Sequence, residues 1–150
     1  MKIKLKKPGV GFILLACSLV FTIVGFILYQ STFNVFSYQP SKQVIIYTII
    51  TIWGLLYLLI NGLISGNKPY IGNIFYLINC FSLLLAFSYL LIPCLSQIAV
   101  FFTVNMGDME TYALGVPRCI AGCVFFALAM IFNVISSFFN INKKEVKSNE

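Results

Sequence analysis

Histidine does not occur in these 150 residues, which removes at once the commonest general base and the commonest transition-metal ligand. Charge of either sign is scarce, at 9% of the chain against about 25% in an average soluble domain. There is none from Pro8 to Ser41, and none from Cys119 to Phe139. Proton-coupled pumps and most secondary transporters keep an ionisable group near the bilayer midplane, so that class is disfavoured. No nucleotide-binding loop and no internal repeat stand out, and the five cysteines form no Cys-x-x-Cys pair.

What is present is apolar surface. Hydrophobic residues make up 60% of the chain, more than a soluble protein of this length can bury, so the excess must face lipid. The runs divide into spans over about 9–30, 43–65, 71–93 and 117–140. Each is close to the roughly 20 residues that cross a hydrocarbon core of about 30 Å. Pro8, Pro40, Pro69 and Pro117 sit just before or within the first turn expected for a span, where a missing N–H is harmless. Pro93 is the exception. Beyond it Cys94–Val104 stays apolar, either as a continuing helix or as an outer segment over 94–116 lying along the interface; the second is preferred. The expected fold is therefore all-α: one integral domain over 1–150, a four-helix transmembrane bundle with no separate soluble unit.

Orientation follows from the basic residues. Lys2, Lys4, Lys6, Lys7, Lys68, Lys143, Lys144 and Lys147 all fall on one face, while Lys42 and Arg118 fall on the other beside Asp108 and Glu110. The net charge of +6 thus reads as the positive-inside bias, with both termini cytoplasmic, and not as a nucleic-acid footprint. Two processing alternatives are rejected. Leu14-Leu15-Ala16-Cys17 has the look of a lipobox, yet Ser18–Leu28 stays apolar where a lipoprotein turns polar. The same apolar run is too long for the core of a cleaved signal peptide.

Three amides are the deep polar residues. Asn61, Asn79 and Asn133 lie about six to nine residues from the cytoplasmic ends of their spans, roughly 9–14 Å deep. Interhelical hydrogen bonding is the preferred reading, and a polar layer lining a solute path is the alternative. Gly115, Cys119, Cys123 and Ala127 recur every fourth residue and mark a helix-packing face; Ser18, Thr22, Gly25 and Tyr29 mark another on the first span. Cys94 and Cys119 both fall near the outer face, within range of pairing, though small-residue packing is the default for buried cysteine. Asp108 and Glu110 offer too few oxygens for calcium, which takes six to eight. Tyr29, Tyr38, Trp53, Tyr57, Tyr70 and Tyr112 are candidate interface anchors.

Leu5-Lys6-Lys7-Pro8-Gly9, the turn Gly66-Asn67-Lys68-Pro69-Tyr70 and the acidic outer loop resemble those of small four-span membrane proteins of low-GC Gram-positive bacteria. That resemblance implies a topology and a bacterial source and carries no function. Four-span membrane thiol oxidoreductases share only the span count, because their chemistry needs a Cys-x-x-Cys pair or its equivalent near the outer face. The expectation is a non-catalytic accessory or interaction subunit of a cell membrane, with no cofactor and no metal. Its partners would be membrane lipid and another membrane protein or further copies of itself. The alternatives are a small pore or carrier for a neutral or lipid-like solute, and a membrane thiol oxidoreductase.

Overall fold

A computed structural model describes residues 8–36, 41–63, 69–103 and 109–139. The tail lysines, Tyr38, residues 64–68 (with Gly66, Asn67 and Lys68 of the expected turn) and Asp108 lie outside them, as do the side chains of Tyr70, Glu110 and Tyr112. Four helices follow in order: α1 (Val10–Phe36), α2 (Lys42–Leu63), α3 (Pro69–Thr103) and α4 (Met109–Phe138). All four are long and apolar enough to cross a membrane, as the hydropathy of the sequence anticipates. The starts have local causes. Gly9 offers its carbonyl to the amides of Phe12 (3.2 Å) and Ile13 (3.4 Å). Ser41 caps α2, its carbonyl accepting from the Ile45 amide at 3.4 Å while its hydroxyl donates to Gln43 at 2.8 Å.

The helices alternate in direction and form a ring in which α1 adjoins α2 and α4, and α3 adjoins α2 and α4, with α1 against α4 the most extensive pairing. Burial along them is periodic. Leu15, Ser18, Thr22, Gly25, Tyr29 and Thr32 are buried in α1, and Gly115, Cys119, Gly122, Phe126, Ala129 and Asn133 in α4. Steps of three and four alternate, so the seam repeats every 3.5 residues, the period of a left-handed supercoil. Val44, Thr48, Thr51, Leu55, Leu58 and Gly62 follow the same rule in α2. In α4 this period carries the seam through Gly115 and Cys119 and then to Gly122 and Phe126, leaving Cys123 and Ala127 half-buried.

In the seam, small and hydroxyl-bearing residues alternate with Leu15, Leu55, Leu58, Leu83, Leu90 and Phe126, while many other large apolar side chains face outward. Trp53 is 71% exposed, Ile92 67% and Leu77 63%. Only 22–33% of each span is buried within the bundle, so the remaining apolar surface requires lipid as its solvent. The molecule is thus a multi-pass membrane protein whose association rests on close packing and interhelical hydrogen bonds, since lipid tails are as apolar as leucine. Rings add to the packing: Phe21 of α1 meets Phe125 and Phe132 of α4 at 5.8 and 5.3 Å, and Tyr57 of α2 stacks on Phe75 of α3 at 4.1 Å.

The structure differs from expectation at two prolines. α3 runs through Pro93 to Thr103 as one helix of 35 residues, about 52 Å long, instead of ending there and yielding an interfacial segment over 94–104. Proline is tolerated inside membrane helices because neighbouring helices and local adjustment re-satisfy the freed backbone groups. Its trace is a change of register: Leu83, Ala86 and Leu90 are followed by Cys94, a step of four where three is due. Likewise α4 begins at Met109, so Pro117 lies two turns inside it and not in its first turn.

Candidate functional site

The three amides occupy three separate environments. Asn61 is half-buried, and its Nδ2 donates back to the Tyr57 carbonyl at 3.0 Å, one turn earlier on its own helix. Asn79 is fully buried and lies over Gly54 of α2, where a side chain would meet its Cγ at 2.8 Å and its Nδ2 at 3.0 Å. Neither polar atom of that amide has a hydrogen-bond partner among the described residues. Asn133 is 1% exposed, and its Oδ1 also lacks a partner among them.

Asn133 differs from Asn79 in facing a cavity. A cleft of about 320 Å³ opens between the first turns of α3 and the last turns of α4, with Asn73, Tyr76, Asn133 and Ser137 as its polar lining. Tyr76 Oη points toward Ser136 without completing a hydrogen bond among the described residues. The Ser136 hydroxyl donates instead to the Asn133 carbonyl at 2.7 Å, and Ser137 donates to Val134 O at 2.6 Å. Asn133 Oδ1 and Tyr76 Oη, in two side chains that line the cleft, are themselves buried without a hydrogen-bond partner among the described residues.

Most other buried hydroxyls are occupied. Thr22, Thr48 and Thr51 donate to carbonyls one turn earlier, at 2.8, 2.7 and 2.9 Å. Two bonds cross between helices: Ser18 Oγ donates to Ala129 O at 2.8 Å, and Ser82 Oγ to Tyr47 O at 3.0 Å. The Tyr47 carbonyl thus accepts both Thr51 and Ser82, joining α3 to α2. Buried groups paired in this way are satisfied within the bundle rather than presented to a ligand.

At the opposite end of the bundle, α3 and α4 bring cysteines together. The Cys94 thiol neighbours those of Cys119 and Cys123, and Cys119 lies beside Tyr29. The Tyr29 hydroxyl accepts from the Ser41 amide at 3.0 Å, tying the start of α2 to α1. All five cysteines are free thiols. Among the described residues no trio of histidine, cysteine and carboxylate groups is arranged to hold a metal ion. The cluster suits thiol–disulfide chemistry between two helices.

Sequence reasoning placed Cys94 near Cys119 by depth alone and overlooked Cys123 as a neighbour, because the continuation of α3 past Pro93 decides that contact. It also passed over Tyr76 and Ser82. Tyr76 lies three residues before Asn79, and their position on one side of the helix is the one signal that points to it. No protein-family model, no curated protein and no solved structure matches this chain.

Proposed function

We propose that the protein is a non-catalytic accessory or interaction subunit of a bacterial cytoplasmic membrane, with both termini in the cytoplasm. The observation that carries this reading is the use of the interior hydroxyls: Ser18, Thr22, Thr48, Thr51 and Ser82 donate to backbone carbonyls. Two of these bonds join α1 to α4 and α3 to α2 and three close on their own helix, so the five hydroxyls are occupied within the bundle. The lack of histidine and of charge deep in the spans supports a role without acid–base chemistry, and the lysines on the terminal face support the orientation.

A subunit meets its partner through one side of the bundle. Photo-crosslinking residues at outward positions of each helix (Ile27, Trp53, Ile92 and Ile131) should therefore give protein adducts from one or two adjacent helices only, in intact membranes. Adducts to lipid alone from all four positions, with monomer recovered under every mild detergent, would remove the subunit reading. A reporter fused to the C-terminus tests orientation separately, and its appearance on the exterior would overturn it.

A further inference from the structure

We propose that Cys94, Cys119 and Cys123 form a thiol relay: an apolar organic disulfide dissolved in the surrounding lipid oxidises the trio through Cys123, and Cys94 passes the resulting bond to Cys119, latching α3 to α4. Two observations bring these thiols together. The first is helix register. Cys80 and Asn133 line the same cleft at one end of the α3–α4 pair, and fourteen residues separate Cys80 from Cys94 on α3 and Asn133 from Cys119 on α4. Equal rises of 1.5 Å per residue keep facing positions of antiparallel helices level, so Cys94 arrives opposite Cys119. The second is contact: the Cys94 thiol neighbours both α4 thiols.

The trio is asymmetric in two ways. Only Cys94 belongs to α3, while Cys119 and Cys123 stand one turn apart on α4, about 6 Å along its axis, where they do not reach each other in disulfide geometry. Every internal bond therefore contains Cys94 and leaves one α4 thiol beside it. A thiol within reach of a disulfide sulfur is what exchange requires. Exposure differs as well. Cys94 is 2% exposed and Cys119 9%, whereas Cys123 is half-buried, so an oxidant arriving from lipid meets Cys123 first.

The steps balance with the organic disulfide as the sole oxidant. Cys123 attacks it, forming a mixed disulfide and releasing one small thiol, which takes the Cys123 proton. Cys94 attacks the Cys123 sulfur, forming the Cys94–Cys123 bond and releasing the second small thiol with the Cys94 proton. Cys119 then attacks the Cys94 sulfur, giving the Cys94–Cys119 bond and returning its proton to Cys123. Two protein thiols are oxidised and one small disulfide is reduced, and the last step only moves the bond. It ends between the two buried sulfurs, shielded from attack by the released small thiol. Such a latch operates whether or not the chain has the partner that the subunit reading requires.

The test uses the full chain in membranes, with Cys17→Ala and Cys80→Ala to silence the other thiols. One equivalent of 2,2′-dipyridyl disulfide, which enters lipid, is added, and samples are quenched with acid at intervals for peptide mass spectrometry. Two pyridine-2-thiones should be released per reagent molecule, since each internal bond expels both halves. Cys94–Cys123 should appear first and Cys94–Cys119 should grow at its expense while their total stays constant. Cys119→Ser should form Cys94–Cys123 at the parental rate and keep it there. Cys123→Ser should lose the fast phase of thione release. One thione per reagent, with the other half left on the protein, would overturn the proposal. So would a Cys94–Cys123 bond that never migrates, or a Cys94–Cys119 bond that forms as fast in Cys123→Ser as in the parent.

Discussion

Gly54 of α2 lies directly beneath the side-chain amide of Asn79 of α3. A Cβ built there would come within 2.8 Å of the amide carbon and 3.0 Å of its nitrogen, closer than carbon atoms settle. The absence of a side chain at one residue thus makes room for a buried polar group at another, and the two should behave as a unit.

Gly54→Ala is accordingly expected to cost about 1–3 kcal/mol, the usual range for overpacking, in an unfolding titration of the micelle-embedded protein. Asn79→Ala should remove most of that cost when combined with it, giving a coupling energy well outside additivity. A Gly54→Ala chain as stable as the parent would show that the amide is seated elsewhere.

The crossing between α1 and α4 allows a sharper comparison. At Gly25 a Cβ would sit 2.9 Å from the Phe126 ring and 3.3 Å from Phe125 Cβ, whereas at Gly122 its nearest neighbour is the Gly25 carbonyl at 3.6 Å. Helix propensity favours alanine over glycine about equally at both positions, so the difference between the two variants isolates contact. Gly25→Ala should destabilise by about 1–3 kcal/mol relative to Gly122→Ala, because Phe126 is fully buried and has little room to turn. Equal effects would mean that the ring yields.

These contacts show where the sequence was readable and where it was not. The spans were legible because hydrocarbon demands about 20 uninterrupted apolar residues, a requirement that composition alone reveals. Which side of each helix faces inward was harder, since in lipid the outer surface is as apolar as the interior. The seam mixes small, hydroxyl-bearing and large apolar residues at a 3.5-residue step, and a row drawn every fourth residue from Gly115 leaves it after Cys119. Counting assigns Asn61, Asn79 and Asn133 a similar depth but says nothing of their directions. One is bonded to its own helix, one rests on Gly54 and one faces the cleft. Pro93 marked a plausible helix end on local chemistry, and tertiary packing carried α3 past it.

Ser18 is expected to contribute differently from Thr22, although both are buried hydroxyls one turn apart. Ser18 donates to Ala129 of α4 and Thr22 to the Ser18 carbonyl of its own helix. Ser18→Ala should cost about 0.6 kcal/mol, typical of an interhelical bond in a membrane. Thr22→Val, which keeps the shape and loses only a local back-bond, should cost less. The same unfolding titration decides it, and a larger loss from Thr22→Val would argue that the α1–α4 bond is not formed.

The thiol cluster gives the last prediction. Because Cys94 of α3 reaches both Cys119 and Cys123 of α4, a mild thiol oxidant applied to membranes should join the two helices through Cys94, and peptide mass spectrometry should recover it bonded to one of the pair. Cys119 and Cys123 should not bond to each other, since positions one turn apart on a helix hold their Cβ atoms too far from disulfide geometry. Cys94→Ser should leave Cys119 and Cys123 reduced, and Cys17 and Cys80 should stay available to alkylation throughout. If Cys94 instead remains reduced under all oxidants, the thiols serve packing alone, and a thiol oxidoreductase role loses its structural basis. Formation of the Cys94 bond would show a redox-competent pair made without a Cys-x-x-Cys motif. It would also fix α3 against α4 at the opposite end of the bundle from the cleft.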